Sequence, residues 1–344
     1  MHLLKLANIL LLIIKFHKAG QKISTISMSC LIIFLSINPF NSVAIKKVAP
    51  KRLRIGYSIS INGITPEKMV YAKSVGIDCI ETSLTAFIGK DRNFKIGEEE
   101  IIEKVKKAKQ AADDAGIEIW SIHMPFNQKI DISHADENER QKIVALHEKV
   151  LEFCRILKPK IILFHPSWFL GLNEREVRKN QLIKSANELN EKVKDIKAIM
   201  VIENMLGYEL QVNDKRERPL FRTSEETSEI MNCLPESIYS AIDMNHIKNP
   251  ETLIRAMGKR LKSVHIADGD GKKECHYFPC SGQGENNWTE ILSALQDSHY
   301  KGPFMFECEY KDVKELKECY ESLYNKFIAD KNHVCRNNLV IDKD

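Results

Sequence analysis

The sequence predicts a (β/α)8 TIM barrel, on three observations. Short apolar runs of β-formers alternate with longer, charged stretches of helical period. Eight such pairs can be placed in one chain of 344 residues. The polar residues that close seven of the runs fall 38–42 residues apart, with a single interval of 22. A strand, a helix and two loops take about that length. An open, doubly wound sheet is the alternative. No G-x-G-x-x-G follows the first run, which counts against the dinucleotide-binding form of that fold.

Residues 1–44 stand apart: they hold four Lys, no Arg and no acid, with apolar runs at Ile9–Ile14 and Cys30–Phe40. The second run follows Lys15, Lys18 and Lys22 and precedes Ser42-Val43-Ala44. A basic segment, an apolar segment and a small-x-small site read as a secretory signal cut after Ala44, and so as an exported protein. The apolar run is short of the roughly 20 residues that a membrane span needs. Met28 is a candidate alternative start.

Without that segment the formal charge of +4 falls to about zero, because 47 Lys plus Arg face 47 Asp plus Glu. No basic field remains to gather nucleic acid or anionic lipid. The nine Cys show no C-x-x-C pair and no zinc-finger spacing. An oxidising compartment permits disulfides, and Cys275 and Cys280 share a loop in which they are a candidate pair.

The barrel is expected over residues 45–330, with a polar tail at 331–344. Its strands are read at Leu53–Ser58, Ile77–Glu81, Ile117–His123, Lys160–His165, Ala198–Glu203, Ile238–Asp243, Lys262–Ala267 and Phe304–Cys308. Thr65-Pro66-Glu67 and Gly97-Glu98-Glu99 open the first two helices, with acids in the first turn, and Ala115-Gly116 closes the second. The other helices are read at Asn138–Leu157, Glu174–Val193, Ser224–Cys233, Pro250–Met257, Asn287–Leu295 and Val313–Phe327.

Alternate side chains of a strand share a face. Ile119, Ser121 and His123 are therefore expected on one face, as are Ile161, Leu163 and His165, then Val201 with Glu203, Ala241 with Asp243, Ser263 with His265, and Met305 with Glu307. This parity places the polar ends on the barrel axis at the C-terminal mouth, where barrel active sites lie. The other parity (Met200, Ile202, Val264, Ile266, Phe304, Phe306) is apolar and faces the helices. Glu203, Asp243, His265 and Glu307 then come from four consecutive strands. Three carboxylates and an imidazole suit Mn²⁺, Mg²⁺, Co²⁺ or Zn²⁺.

These residues carry a resemblance. His123-Met-Pro, Phe164-His165-Pro, Ile202-Glu203-Asn204, Asp243-Met-Asn-His246, His265-Ile-Ala-Asp268, His276 before Gly282-x-Gly284, Trp288, and Phe306-Glu307 follow one another over residues 52–328. In that order the chain resembles the xylose-isomerase-like barrel superfamily of sugar and sugar-phosphate isomerases and epimerases, with metal-dependent apurinic endonucleases as distant members. The resemblance implies that Glu203 and Glu307 bind the metal and flank the substrate as the catalytic pair. It implies that Asp243 and His265 complete the metal shell and that His246 orients a substrate oxygen. His123, His165 and His276, metal ligands in the endonuclease branch, are read with Trp168 as substrate-binding here. That branch has an Asp where this chain has Glu274, and its Gly-x-Gly is displaced by Cys280-Ser281; both differences count against a nuclease.

The expected chemistry is proton abstraction beside a metal-polarised carbonyl by one Glu, giving an enediolate, and return of a proton by the other. A sugar isomerase or epimerase acting on a small-molecule sugar is the leading expectation. An endonuclease-like phosphodiesterase and a non-catalytic carbohydrate-binding barrel are the alternatives, and a homo-oligomer is left open. Phe169 and Trp288 are further candidates to stack on a sugar, Asp268 and Asp270 to support His265, and the cations of Asp91–Lys95 and Lys215–Arg222 to hold a phosphate.

Overall fold

The computed structural model describes residues 50–340. The expected leader and the last residues of the tail lie outside them. Eight parallel strands close a barrel: β1 Ile55–Ser60, β2 Cys79–Ser83, β3 Glu118–His123, β4 Ile161–Phe164, β5 Ile199–Glu203, β6 Ile238–Asp243, β7 Leu261–Ile266 and β8 Phe304–Phe306. Each pairs with its neighbours in sequence, and β8 closes on β1 through Ile55↔Phe304 and Tyr57↔Phe306. The helices that follow them are α1 Pro66–Ser74, α2 Glu98–Asp114, α3 Glu137–Leu157, α4 Arg175–Asp195, α5 Ser224–Asn232, α6 Pro250–Met257, α7 Trp288–Asp297 and α8 Lys314–Val340.

Local chemistry sets the helix boundaries. Thr65, Asp136, Thr223 and Asn287 cap α1, α3, α5 and α7, each side-chain oxygen accepting a backbone N–H three residues on. Gly116 ends α2 at φ +69°, a conformation costly for any residue with a Cβ. The last helix passes the expected end at Phe327 and runs to Val340.

Two apolar layers share the strands. Met200, Ile202, Val264, Ile266, Phe304 and Phe306 face the helices in the main core. Ile161, Leu163, Val201 and Ala241 fill the barrel axis, with Trp120 and Tyr239 against them. The expected parity holds for β4 to β8 but slips in β3. The β2–β3 register shifts between Ile80 and Glu81, which pair with Ile119 and Ser121. The extra residue, Trp120, turns to the axis and Ile119 packs with the helices. Ser121 and His123 keep their inward direction because the slip precedes them.

Two features lay outside the sequence expectation. A small antiparallel sheet joins 170–171, 211–213 and 216–217, linking the loops after β4 and β5. The disulfide joins Cys280 to Cys319 on α8, and Cys275 is free. The expected Cys275–Cys280 pair is thereby corrected: α8 packs under the loop and brings Cys319 to Cys280.

A candidate metal centre at the mouth of the barrel

Glu203 and Asp243 are the last residues of β5 and β6, His265 is the penultimate residue of β7, and Glu307 follows β8. One ligand atom from each of the four lies within 4.8 Å of the others. His265 Nδ1 stands 2.6 Å from both Glu203 Oε1 and Glu307 Oε2. Even so, both carboxylate oxygens of Glu203, Asp243 Oδ2 and both His265 nitrogens are buried with no well-oriented hydrogen bond. Buried polar atoms seldom go unbonded. Atoms that crowd one point without bonding each other fit a divalent cation, and this O,O,O,N set suits Mn²⁺, Mg²⁺, Co²⁺ or Zn²⁺.

Two further clusters of metal-capable atoms flank the first. His123 and His165 share Glu203 with it, and His246 and His276 share Asp243. The backbone sets the tautomer of three of these imidazoles. Nδ1–H of His123 donates to the Met124 carbonyl at 2.9 Å, that of His246 to Asn204 at 3.0 Å and that of His276 to Glu307 at 2.8 Å. A carbonyl only accepts, so Nδ1 carries a proton in all three rings and Nε2 is the atom turned into the mouth. Glu274 Oε2 reaches His246 Nε2 at 3.1 Å and His276 Nε2 at 3.0 Å. The longer side chain at this position therefore still reaches both rings.

Glu81 closes the second strand expected from sequence, which assigns it no role. It is fully buried in β2, two residues before the strand stops, with Oε1 2.8 Å from His265 Nε2. The Ser121 hydroxyl donates to its other oxygen at 2.6 Å. Glu81 thus stands at ion-pair distance from the outer nitrogen of the ring whose inner nitrogen faces Glu203 and Glu307. The inward face of β2 was the available signal, but only the ring's orientation shows which carboxylate it meets.

Charge in the mouth is strongly coupled. Burial disfavours the Glu203 carboxylate, but His265 and His165 outweigh it and hold its pKa well below the usual range. Burial and then His265 act on Glu307 in the same way, leaving it at about 2. Burial wins for Asp243, which rises to about 6. Burial also lowers His165. The hydrogen bond between His276 and Glu274 raises that imidazole to about 9.

Above the cluster lies a cavity of about 310 Å³. Phe126, Trp168, Phe169, Met205, Leu206 and Pro219 form its apolar wall. Phe126 packs on His165 with centroids 4.0 Å apart and on Trp168 at 5.2 Å. On the other side an adjoining cavity of about 340 Å³ is lined by Ser58, Ser60, Ser83 and Thr85, together with His123 and Glu307. Neither lining contains Lys or Arg. The aromatic wall is held from below. Asp131, buried before α3, accepts the Trp168 backbone N–H at 2.8 Å and pairs with Arg178 of α4.

The four expected ligands and the expected contact residues His123, His165, His246, His276 and Trp168 all meet in this mouth, with Phe169. Other expectations are corrected. Trp288 is buried against Phe304 and donates Nε1–H to Asp268 at 2.9 Å, so it belongs to the packing beneath the loop. Asp268 binds that indole and the Asn286 N–H rather than His265. Gly284 lies so close that a Cβ there would meet Asp268 Oδ1 at 1.9 Å. Asp270 accepts the N–H groups of Lys272 and Lys273 in a turn. The cations of 91–95 and 215–222 do not line the cavity above the cluster: Arg92 pairs with Glu139 at 2.6 Å, and Lys215 and Arg216 line a separate cavity of about 250 Å³ that shares Trp168 and Phe169 with it.

Comparison with known proteins agrees with this architecture. An uncharacterised protein of Methanocaldococcus jannaschii is 27% identical over 263 residues, 71% of this chain and 96% of that one. A solved D-tagatose 3-epimerase-like protein superposes with a TM-score of 0.63 at 19% identity, covering 80% of this chain and 98% of that one. A 3-keto-D-glucoside 4-epimerase from E. coli gives 0.59 at 15%, covering 79% of this chain and 100% of that one. At such identities the two structures speak for the fold. The model of the xylose isomerase-like TIM barrel family matches residues 69–326, most of the chain, and with the closed barrel observed here the chain belongs to that family.

Proposed function

We propose that the chain is a divalent-metal-dependent isomerase or epimerase of a free keto-sugar. The observation that carries the reading is the form of the mouth. Glu203 and Glu307 each come within 2.6 Å of His265 Nδ1, beside cavities with an aromatic wall, a hydroxyl-bearing wall and no Lys or Arg. A sugar phosphate calls for Lys or Arg donors to its dianion, and neither residue type lines the two cavities of the mouth. The epimerases among the solved structures that share this fold support the same reaction class.

A cation held by Glu203, Asp243, His265 and Glu307 would polarise a ketose carbonyl and acidify the adjacent C–H. Glu203, kept ionised by its imidazole neighbours, takes that proton. Glu307, ionised in the free site, takes a proton from solvent and delivers it to the enediolate carbon. His246 orients a substrate hydroxyl through Nε2, and Phe126 and Trp168 cover an apolar sugar face and exclude water. The test is solvent deuterium uptake beside the carbonyl, measured with Mn²⁺-loaded protein on free ketoses, ketose phosphates and keto-glycosides. Uptake by an unphosphorylated sugar, lost in Glu203→Gln and Glu307→Gln, is expected. No exchange with any of them sinks the isomerase reading, and exchange confined to phosphates sinks the free-sugar part.

One observation favours a second reading, phosphodiester hydrolysis at a polynuclear centre. Three metal-capable clusters adjoin through Glu203 and Asp243, and Glu274 reaches both outer imidazoles. Nearly three tightly held metal ions per chain, with cleavage of an abasic-site oligonucleotide, would establish it. Export is inferred from residues 1–44 and agrees with the Cys280–Cys319 disulfide. Mature protein beginning at Ile45 would bear it out.

A further inference from the structure

The opposite end of the barrel carries a second cavity, of about 690 Å³. It lies at the strand starts: Lys160 precedes β4, Ile199 and Leu261 open β5 and β7, and Gly302 lies just before β8. The axial layer of Ile161, Leu163, Val201 and Ala241 separates it from the metal-capable mouth. The five residues from Ile199 to Glu203 put the two ends about 13 Å apart along β5.

Five amines surround this cavity: Lys160, Lys197, Lys259, Lys262 and Lys301, with His299 beside them. Its lining includes no acid, and among the described residues none of the five forms an ion pair. Glu118, two residues before Trp120, is already engaged by Arg54 at 2.5 Å. The floor is apolar, made by Trp120, Ile161, Ile199 and Leu261. Ile199 is 37% exposed there, unusual for a large aliphatic residue within a barrel strand.

We propose that this N-terminal mouth is a second ligand site, for a small organic phosphate with a flat apolar body, of the nucleotide class. Charge complementarity selects an anion, since five lysines line one concave surface that holds no acid, with the Lys262 ammonium resting over the Tyr239 ring. The apolar floor selects an anion with a hydrophobic body, because bare phosphate would leave Trp120 and Ile199 in water. The volume lies in the range of small-ligand pockets.

The test is calorimetric titration of the metal-loaded protein with ADP, with adenosine and inorganic phosphate as body-only and charge-only controls. It is run on wild type and on Lys197→Ala/Lys301→Ala, both substitutions at exposed side chains. Saturable ADP binding that weakens at least tenfold in the variant, weakens with added salt, and is tighter than either control supports the site. Overlapping thermal melts of the two proteins show that the variant is folded. The proposal is overturned by absence of saturable ADP binding, by phosphate binding as tightly as ADP, or by equal ADP affinity in the variant. Equal affinity would place the nucleotide elsewhere, such as at the metal-capable mouth.

Discussion

Single atoms decide what the mouth can bind. The outer nitrogen of His265 meets Glu81, and the inner one faces Glu203 and Glu307. A carboxylate on the far side of a ligating imidazole fixes ring orientation and strengthens the ligand. Glu81→Leu removes that partner and leaves the Ser121 hydroxyl unpaired, so Mn²⁺ affinity should fall about 10- to 100-fold. Glu81→Gln keeps an acceptor and should fall less; competition titration with a chelating dye measures both. Away from the mouth, His147 tests the packing of α3. Its ring is buried, and burial first of all lowers its pKa to about 4 from 6.5. The proton is on Nε2, which donates to Ile130 at 3.2 Å. Unfolded chains bind a proton at this residue below about pH 6.5, whereas the folded one resists until about pH 4. Stability is therefore full above pH 6.5 and lost as pH falls toward 4, by roughly 3 kcal/mol for this residue. Urea midpoints at pH 7 and pH 4.5 should differ less in His147→Gln.

Much of this scale was legible beforehand. Strand parity alone puts Glu203, Asp243, His265 and Glu307 on one axis, because the period of a strand is fixed by its backbone. Glu81 received no role because ring rotation in His265 is not encoded in spacing. The face of Trp120 was hidden because a bulge leaves no mark in the apolar pattern of Ile119–Ile122.

Among elements, the loops after β3 and β4 depend on one buried pair. Asp131 is 1% exposed and binds Arg178, the Ser133 hydroxyl and the Trp168 backbone at once. Asp131→Ala leaves the buried Arg178 guanidinium only the longer contact to Glu174 and the Ser133 hydroxyl, so a loss of roughly 3 kcal/mol in denaturant unfolding is expected. In any fraction that stays folded, KM should rise more than kcat falls, because the Trp168 wall moves while the carboxylates stay. The disulfide pins the loop bearing Glu274 and His276 to α8 across 39 residues. On the chain-entropy account Cys280→Ser should cost roughly 3–4 kcal/mol. Reduction of wild type should bring its melting temperature to that of the variant.

Helices and barrel strands could be read in order because each carries its own period and caps. The small sheet at 170–217 could not: Gln211–Glu217 is polar, exposed over most of its length and without alternation. Nor could the Cys280–Cys319 bond, since pairing depends on how α8 packs and not on distance along the chain. The two Cys nearest in sequence were the wrong guide.

For the molecule as a whole, the barrel is a device for collecting acids. Glu81, Glu203, Asp243 and Glu307 come from four separate strands or strand ends and meet around one imidazole. Repulsion among them disfavours the folded barrel, and a cation that binds only the folded form relieves it. Thermal stability should therefore rise with Mn²⁺ and fall with chelator, by about 2.7 kcal/mol at 100 times the dissociation constant. The closing of the barrel was foreseeable from the count and spacing of its elements. The basic cavity at its other end was not, because Lys160, Lys197, Lys259, Lys262 and Lys301 are spread over 142 residues and only closure gathers them.

The convergence of Glu203, Asp243, His265 and Glu307 on one cation is tested most directly by isothermal titration of chelator-treated protein with Mn²⁺, wild type beside Asp243→Asn and His265→Ala. At least one ion per chain with micromolar or tighter affinity, weakened 100-fold or more by either substitution in a protein that still melts cooperatively, is the predicted result. Absence of saturable binding, or binding that both substitutions leave intact, would contradict it.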